Sequence, residues 1–285
     1  MIYRSLSELQ KNPPEADAYI AGSDQVWGKL LSRPESLVYY LQFGRKETKR
    51  IAYAASFGRS SYPEELRPRL RNCLRVFDAL SCREYDGVKI CQQEGFEAIK
   101  ALDPTLLLPK PVYESLISNA PTAPFKYVFI YSINIDSAED IRWEQLKAYC
   151  EANSLEVVVT HASGYREGVE LYAGAYYVYP TIEHWLSLIA HAQMVVTTSF
   201  HGVALSIALG RPFVFVPLKG EHSNSNNRVV DLLADLSLTD RILSKHSTYS
   251  SLFSKPIDYM KVHELLQGQR DCSLEFINKA LEGKK

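Results

Sequence analysis

Met194-Val-Val-Thr-Thr-Ser-Phe-His-Gly-Val-Ala-Leu-Ser-Ile-Ala-Leu-Gly210 decides how this chain folds. Met194 to Thr198 is a short apolar run rich in β-branched residues, which reads as a strand buried on both faces. Val203 to Leu209 continues with a helical pattern. Between them, Ser199-Phe200-His201-Gly202 brings a helix N-terminus to the carboxyl end of a strand. In open α/β sheets ligands sit there, because free N–H groups point outward. Gly202 has no side chain and lets a substrate approach the backbone. His201 stands at the lip of this anion site, placed for proton transfer or for a hydrogen bond to a phosphate. A histidine that caps the helix or packs under a loop satisfies the same spacing.

The strand–helix alternation continues outward from this segment. Strands are predicted over Ala18 to Ala21, Arg50 to Ser56, Val76 to Ser81, Tyr127 to Ser132, Glu156 to Thr160 and Pro212 to Val216. Helical patterns fill Pro63 to Val76, Ala138 to Asn153 and Ile182 to Ala192. This is a doubly wound α/β chain with mostly parallel sheets. Asp103-Pro104 and the proline-rich segment Leu108 to Pro124, expected to interrupt helix and sheet alike, suggest a boundary. The expected division is residues 1–107, residues 108–256 and a C-terminal helix in 257–285 that stays with the second lobe or crosses back to the first.

Composition excludes several classes. Of 285 residues, 46% are hydrophobic and 23% charged, so the chain is neither disordered nor collagen-like. The net charge of -1 lacks the basic excess of a nucleic-acid binder. Five cysteines, Cys73, Cys82, Cys91, Cys150 and Cys272, contain no C-x-x-C pair, which favours a reducing compartment. Met1 to Asn12 has no signal-peptide core, and the longest apolar stretch, Val203 to Leu218, is broken by Gly210, Arg211 and Pro212. A soluble, cytoplasmic protein without a transmembrane segment is expected. No G-x-G-x-x-G, P-loop, nucleophile elbow or H-E-x-x-H occurs, and no metal site is expected.

Three further segments carry candidate chemistry. Ala21-Gly-Ser-Asp-Gln-Val-Trp27 comes directly after a strand. Ser23 and Asp24 either cap a helix or face a polyol, with Asp24 a candidate base, and Trp27 either stacks on a sugar or is core. At the strand end Ala79-Leu-Ser-Cys-Arg-Glu84, Arg83 either forks onto a carboxylate or phosphate or is held by Glu84 or another acid in a structural ion pair. Lys219-Gly-Glu-His-Ser-Asn-Ser-Asn-Asn-Arg228 reads as a mobile active-site loop with two cations, or as a solvated surface loop ahead of the helix Val229 to Leu236. The cluster Tyr172, Tyr176, Tyr177 and Tyr179 lines a sugar groove or packs on a β-edge.

DAYIAGSDQVW (Asp17 to Trp27), RIAYAASFG (Arg50 to Gly58), LSCRE (Leu80 to Glu84), DPTL (Asp103 to Leu106), TSFHG (Thr198 to Gly202) and NRVVDLL (Asn227 to Leu233) occur in that order. Together they resemble the polysaccharide pyruvyl transferase family, from about Ala16 to Ile242. The resemblance implies a GT-B-like fold of two Rossmann-like lobes. It also implies transfer of a pyruvyl group from phosphoenolpyruvate (PEP) to a sugar of a surface polysaccharide or its precursor, forming a ketal, with no cofactor. His201 matches the family's histidine and Arg83 its arginine. Asp24 is assigned as base, with Ser23, Trp27, Ser199, Phe200, Gly202, Lys219 and Arg228 as substrate-binding residues.

The pattern departs from the family at two points. Many more distant relatives carry an arginine two residues before the histidine, where this chain has Ser199, so either that anion contact comes from elsewhere, with Arg228 the candidate, or substrate handling differs. About sixteen residues precede GSDQVW's strand, which predicts a shortened N-terminal lobe lacking opening strands and a cleft-lining loop. The resemblance implies as acceptor a sugar or a lipid-linked oligosaccharide, the latter expected to bring the protein to the inner membrane surface. Two alternatives are a GT-B-like glycosyltransferase using a nucleotide-sugar and a non-catalytic assembly subunit.

Overall fold

The apolar runs pair as strands and the amphipathic segments between them coil as helices. In the computed structural model, which describes residues 2–29, 31, 34–160 and 170–283, the chain divides into two compact units. One comprises Met1–Pro104 with Leu265–Lys285, and the other Thr105–Glu264.

The first unit contains α1 (Leu6–Lys11), β1 (Ala18–Ala21), β2 (Lys49–Ala55), α2 (Arg67–Leu74), β3 (Ala79–Cys82), α3 (Tyr85–Gln93) and β4 (Ile99–Lys100). Its strands form a parallel sheet in the order β1-β2-β3-β4. The register of β2 against β3 slips between Ala52 and Ala55, where Ala54 takes φ 50°. The Ser81 hydroxyl repairs the interrupted ladder. It accepts from Ala54 N and donates to Ala52 O, each at 2.9 Å. Such a bulge bends the strand and re-aims the residues beyond it, here Ser56 to Gly58.

Trp27, Tyr40, Phe57, Leu70, Leu80 and Ile90 belong to this unit's core. The expectation that Trp27 stacks on a sugar is corrected here. Its ring is fully buried, lies parallel to Tyr40 at 5.1 Å and donates Nε1–H to Tyr39 O at 3.0 Å. An aromatic ring of that area gains more from a packed interior than from a wet surface.

The chain continues through α4 (Pro104–Leu107), α5 (Lys110–Leu116), β5 (Tyr127–Tyr131), α6 (Trp143–Ala152), β6 (Glu156–Thr160), β7 (Tyr176–Val178), α7 (Ile182–His191), β8 (Met194–Thr197), α8 (Phe200–Ala208), β9 (Phe213–Phe215), α9 (Asn227–Asp235), α10 (Tyr249–Phe253) and α11 (Tyr259–Glu282). The proline-rich segment does not stay irregular. Pro111 sits in the first turn of α5, where a helix needs no N–H from it.

The second sheet is parallel throughout, in the order β7-β6-β5-β8-β9. The chain winds from β5 to β6 and β7 on one side, then returns to β8 on the other. The direction of winding therefore reverses between β5 and β8, the place where α/β sheets open a crevice at their carboxyl ends. Val128, Ile130, Val157, Val159, Val196 and Val214 lie in the core beneath it. Among the described residues no helix is long and apolar enough to cross a membrane.

Candidate active site

Four segments of the first unit meet at the carboxyl ends of its strands. Arg83, immediately after β3, is buried and donates Nη1–H to Asp103 Oδ2 at 2.7 Å. Its Nη1 and Nη2 also approach Ser23 Oγ and Asp24 Oδ1, both at 3.4 Å, and Ser23 Oγ donates to Asp103 Oδ2 at 2.6 Å. Ser23 and Asp24 lie just after β1, while Asp103 lies beyond β4. Arg83 is thus held on protein carboxylates, and its guanidinium orients the strand ends around it. Asp24 has φ 73° and its side chain is 65% exposed, so its carboxylate faces outward from a fixed backbone. The left-handed conformation suits aspartate better than most residues. Asp24 O accepts from Ser56 N at 3.0 Å, which secures the turn.

Glu84 anchors the other half of this cluster. Its Oε1 accepts from Ser56 Oγ at 3.1 Å, from Phe57 N at 2.9 Å and from Gly58 N at 3.4 Å, tying RIAYAASFG to LSCRE. Its Oε2 is buried with no hydrogen-bond partner among the described residues. Burial pushes this carboxyl above the usual carboxylate range, and the Arg83 charge and the three donors pull it back only in part. Sequence reasoning misses Glu84 and Asp103 as members of a site. Both stand at strand ends, but Ile99–Lys100 is too short to announce itself as a strand.

On the second unit, Ser199 is the N-cap residue of α8, which begins at Phe200 rather than Val203. The backbone N of Ser199 donates to Thr197 Oγ1 at 3.0 Å, and Thr197 Oγ1 donates to Tyr131 O at 2.6 Å. Thr198 Oγ1 accepts from Ile133 N at 2.8 Å and donates to Ile133 O at 2.9 Å. These bonds lock the loop after β8 to the loop after β5. The Ser199 side chain is buried and hydrogen-bonds Tyr131, whose phenol is pushed up by burial and drawn back partly by that bond.

Gly202 has a packing role in the fold. A Cβ there would collide with Thr197 Oγ1 and come within 2.9 Å of Thr197 Cβ, so the glycine lets α8 lie against β8. Phe200 is buried as well, and serves as a platform. The half-buried His201 meets its ring edge-on at 5.5 Å, and the Arg228 guanidinium lies 5.9 Å from its centroid. His201 and Arg228, distant in sequence, therefore flank one ring.

The polar loop after β9 is not irregular throughout. Gly220–Asn226 is a 3-10 turn, and Asn226 clamps its neck, accepting from Leu218 N and donating to Leu218 O, each at 2.9 Å. Lys219 Nζ reaches Asp140 Oδ1 at 3.2 Å, across a cleft of about 410 Å³. Neither Asp140 nor Asn226 stands out in the sequence. Among the described residues no group of three His, Cys, Asp or Glu side chains is placed to hold a metal ion.

Both motif clusters, GSDQVW–SFG–SCRE–DPTL and TSFHG, thus occupy the carboxyl ends of parallel sheets. The family model for polysaccharide pyruvyl transferases matches residues 2–219. The chain belongs to the polysaccharide pyruvyl transferase family. It is a transferase of polysaccharide biosynthesis with a GT-B-like α/β fold of two parallel sheets. No curated protein matches it in sequence.

Among solved structures, the chain is similar to the UDP-GlcNAc 2-epimerase from Neisseria meningitidis bound to UDP-GlcNAc, with 10% identity, 97% of this chain and 79% of that one covered and a TM-score of 0.58. It is also similar to a UDP-forming trehalose-phosphate synthase from Burkholderia xenovorans, with 7% identity, 98% and 85% covered and a TM-score of 0.52. At such identities the likeness concerns the fold alone.

Proposed function

We propose that this pyruvyl transferase family member moves a pyruvyl group from PEP to sugar hydroxyls of a surface polysaccharide or its precursor, forming a ketal. The observation that carries the reading is the pairing of His201 and Arg228 on the Phe200 ring at the N-terminus of α8. That arrangement offers a donor with a carboxylate and a phosphate a guanidinium, outward N–H groups and a proton-transferring imidazole together. Arg228 and Lys219 take the donor's charges.

In the reaction, His201 gives a proton to the PEP methylene carbon, leaving C2 cation-like. A first sugar hydroxyl adds to C2, phosphate departs with its C–O bond pair, and a second hydroxyl closes the ketal. The two hydroxyl protons balance those taken by the methyl group and the phosphate. In the first unit, Arg83 keeps the exposed turn at Asp24 in place rather than binding PEP itself. PEP is a cytoplasmic metabolite, so the cytoplasm is the working compartment. An acceptor on a lipid carrier brings the chain to the inner membrane surface.

Calorimetric titration of PEP, with UDP-GlcNAc as a parallel probe, tests this. PEP binding that weakens at least tenfold in His201→Ala, at unchanged melting temperature, is the expected result. A folded chain that takes UDP-GlcNAc and no PEP overturns the reading in favour of a nucleotide-sugar enzyme.

A further inference from the structure

We propose that Asp140 is a positioning residue that holds Lys219 in reserve across the cleft and thereby sets how tightly the second unit takes its anionic donor. The proposal rests on the PEP reading above and concerns a residue that reading does not use. Lys219 Nζ and Asp140 Oδ1 lie 3.2 Å apart, the lysine side chain 70% exposed and the aspartate 25%. The two ends of this pair differ in freedom. Asp140 Oδ2 accepts from Asp136 N and Ser137 N, both at 3.1 Å, within a capping box that opens the turn Ala138–Ile141. Its carboxylate is fixed by backbone donors. Burial alone would raise this carboxyl, yet Lys219 and the two backbone donors outweigh burial and hold it below the ordinary range. It stays ionised.

Lys219 is the movable end. Asn226 pins the loop's neck through both polar atoms of Leu218, so the Lys219 backbone is anchored while its four-carbon stem is free to turn. The cleft it crosses is also lined by Asn134, Asp136, Val216, Glu221 and His222. Three acidic residues, Asp136, Asp140 and Glu221, line the same cleft as this lysine. While Lys219 rests on Asp140, much of its attraction for an incoming anion is cancelled. PEP, with a carboxylate and a phosphate, must win the ammonium away from Asp140. The aspartate therefore lowers donor affinity and returns the lysine to its rest position once phosphate has left.

The test is PEP calorimetry on wild type, Asp140→Asn, Lys219→Met and the double variant. Asparagine can still accept from the cap N–H groups but carries no charge. Asp140→Asn is expected to bind PEP roughly two- to fivefold tighter, the span of an exposed ion pair. A merely structural role would not tighten binding. Lys219→Met weakens binding, and in its background Asp140→Asn changes affinity less than about twofold, as a shared interaction requires. Asp140→Ser, also neutral and able to cap, gives the same gain should the asparagine variant melt early. Equal or weaker PEP binding by both neutral variants overturns the proposal while leaving the donor reading intact, as does a gain that persists in full without Lys219. Wild-type protein that takes no PEP overturns the donor reading and this proposal together.

Discussion

Arg83 Nη1 donates to Asp103 Oδ2 over 2.7 Å, and each side chain is 2% exposed. Two full charges withdrawn from water stay there because hydrogen bonds replace their hydration. The same guanidinium approaches Ser23 and Asp24, so a single buried group ties the ends of β1, β3 and β4 together. The exposed carboxylate of Asp24 inherits its position from this pair.

Removing Asp103 takes its buried carboxylate away from the buried Arg83 and leaves the largely exposed Asp24 carboxylate, 3.4 Å off, to offset that charge in part. Asp103→Ala is therefore expected to destabilise the protein by about 3–5 kcal/mol in urea unfolding. Arg83→Met combined with Asp103→Leu should recover much of that loss, since two apolar groups leave no orphan charge. Equal losses in the single and double variants would assign the effect to packing instead.

Glu84 gives the protein a pH-dependent cost of opposite sign to that of most carboxylates. Its carboxyl is raised in the fold above its ordinary value of 4.5, so the neutral form is the one the fold favours. That contribution is fully present below pH 4.5 and is lost as pH rises through the higher folded value. Glu84→Gln cannot ionise and keeps an oxygen for Ser56, Phe57 and Gly58. Relative to wild type, its urea midpoint should rise between pH 4 and pH 8. A wild type that instead gains on the variant over that window would show that Glu84 is stabilised as a carboxylate.

Much of the fold is legible in the sequence because buried parallel strands have nearly continuous apolar runs. These runs place Ala18–Ala21 and Glu156–Thr160 to the residue, and Tyr127–Tyr131 and Met194–Thr197 to within one. They do not reveal the short edge strands Ile99–Lys100 and Tyr176–Val178, because two or three residues show no period. The tyrosine-rich stretch holds one of those edges. The helix start at Phe200 reads too late from sequence because glycine at 202 weakens helix propensity, a loss that packing against Thr197 outweighs. At the sites, the motifs mark the right strand ends but not which side chain faces where. Trp27 and Phe200 face inward, and the partners Asp103, Glu84 and Asp140 are chosen by tertiary proximity, which no local pattern encodes.

The neck of the loop after β9 should matter to ligand binding more than to stability. Asn226 satisfies both polar groups of Leu218 with one side chain, and the residues beyond the neck are mostly exposed. Asn226→Ala removes both bonds, which together contribute about 1–3 kcal/mol. Lys219 then loses its anchored backbone, so PEP affinity should fall severalfold. The melting temperature should move by only a few degrees. Unchanged affinity with a full loss of local protection in hydrogen exchange would show that Lys219 does not depend on the neck.

Gly202 makes the sharpest steric claim about the TSFHG turn. Helix α8 lies so close to β8 that an added Cβ would strike Thr197 Oγ1, approach Thr197 Cβ to 2.9 Å and Thr197 Cγ2 to 3.0 Å. Those atoms cannot withdraw cheaply, because Thr197 Oγ1 is bonded to Tyr131 O and accepts from Ser199 N. Gly202→Ala should thus destabilise by roughly 1–3 kcal/mol, the usual result of overfilling a packed interior, despite alanine's better helix propensity. Thr197→Ala removes both Oγ1 and Cγ2, so combining it with Gly202→Ala should cost less than the sum of the two single changes. Strict additivity in thermal or urea unfolding would mean that α8 shifts as a body to admit the methyl group. His201, one residue away on the same turn, would move with it, and PEP binding measured on Gly202→Ala would report that displacement.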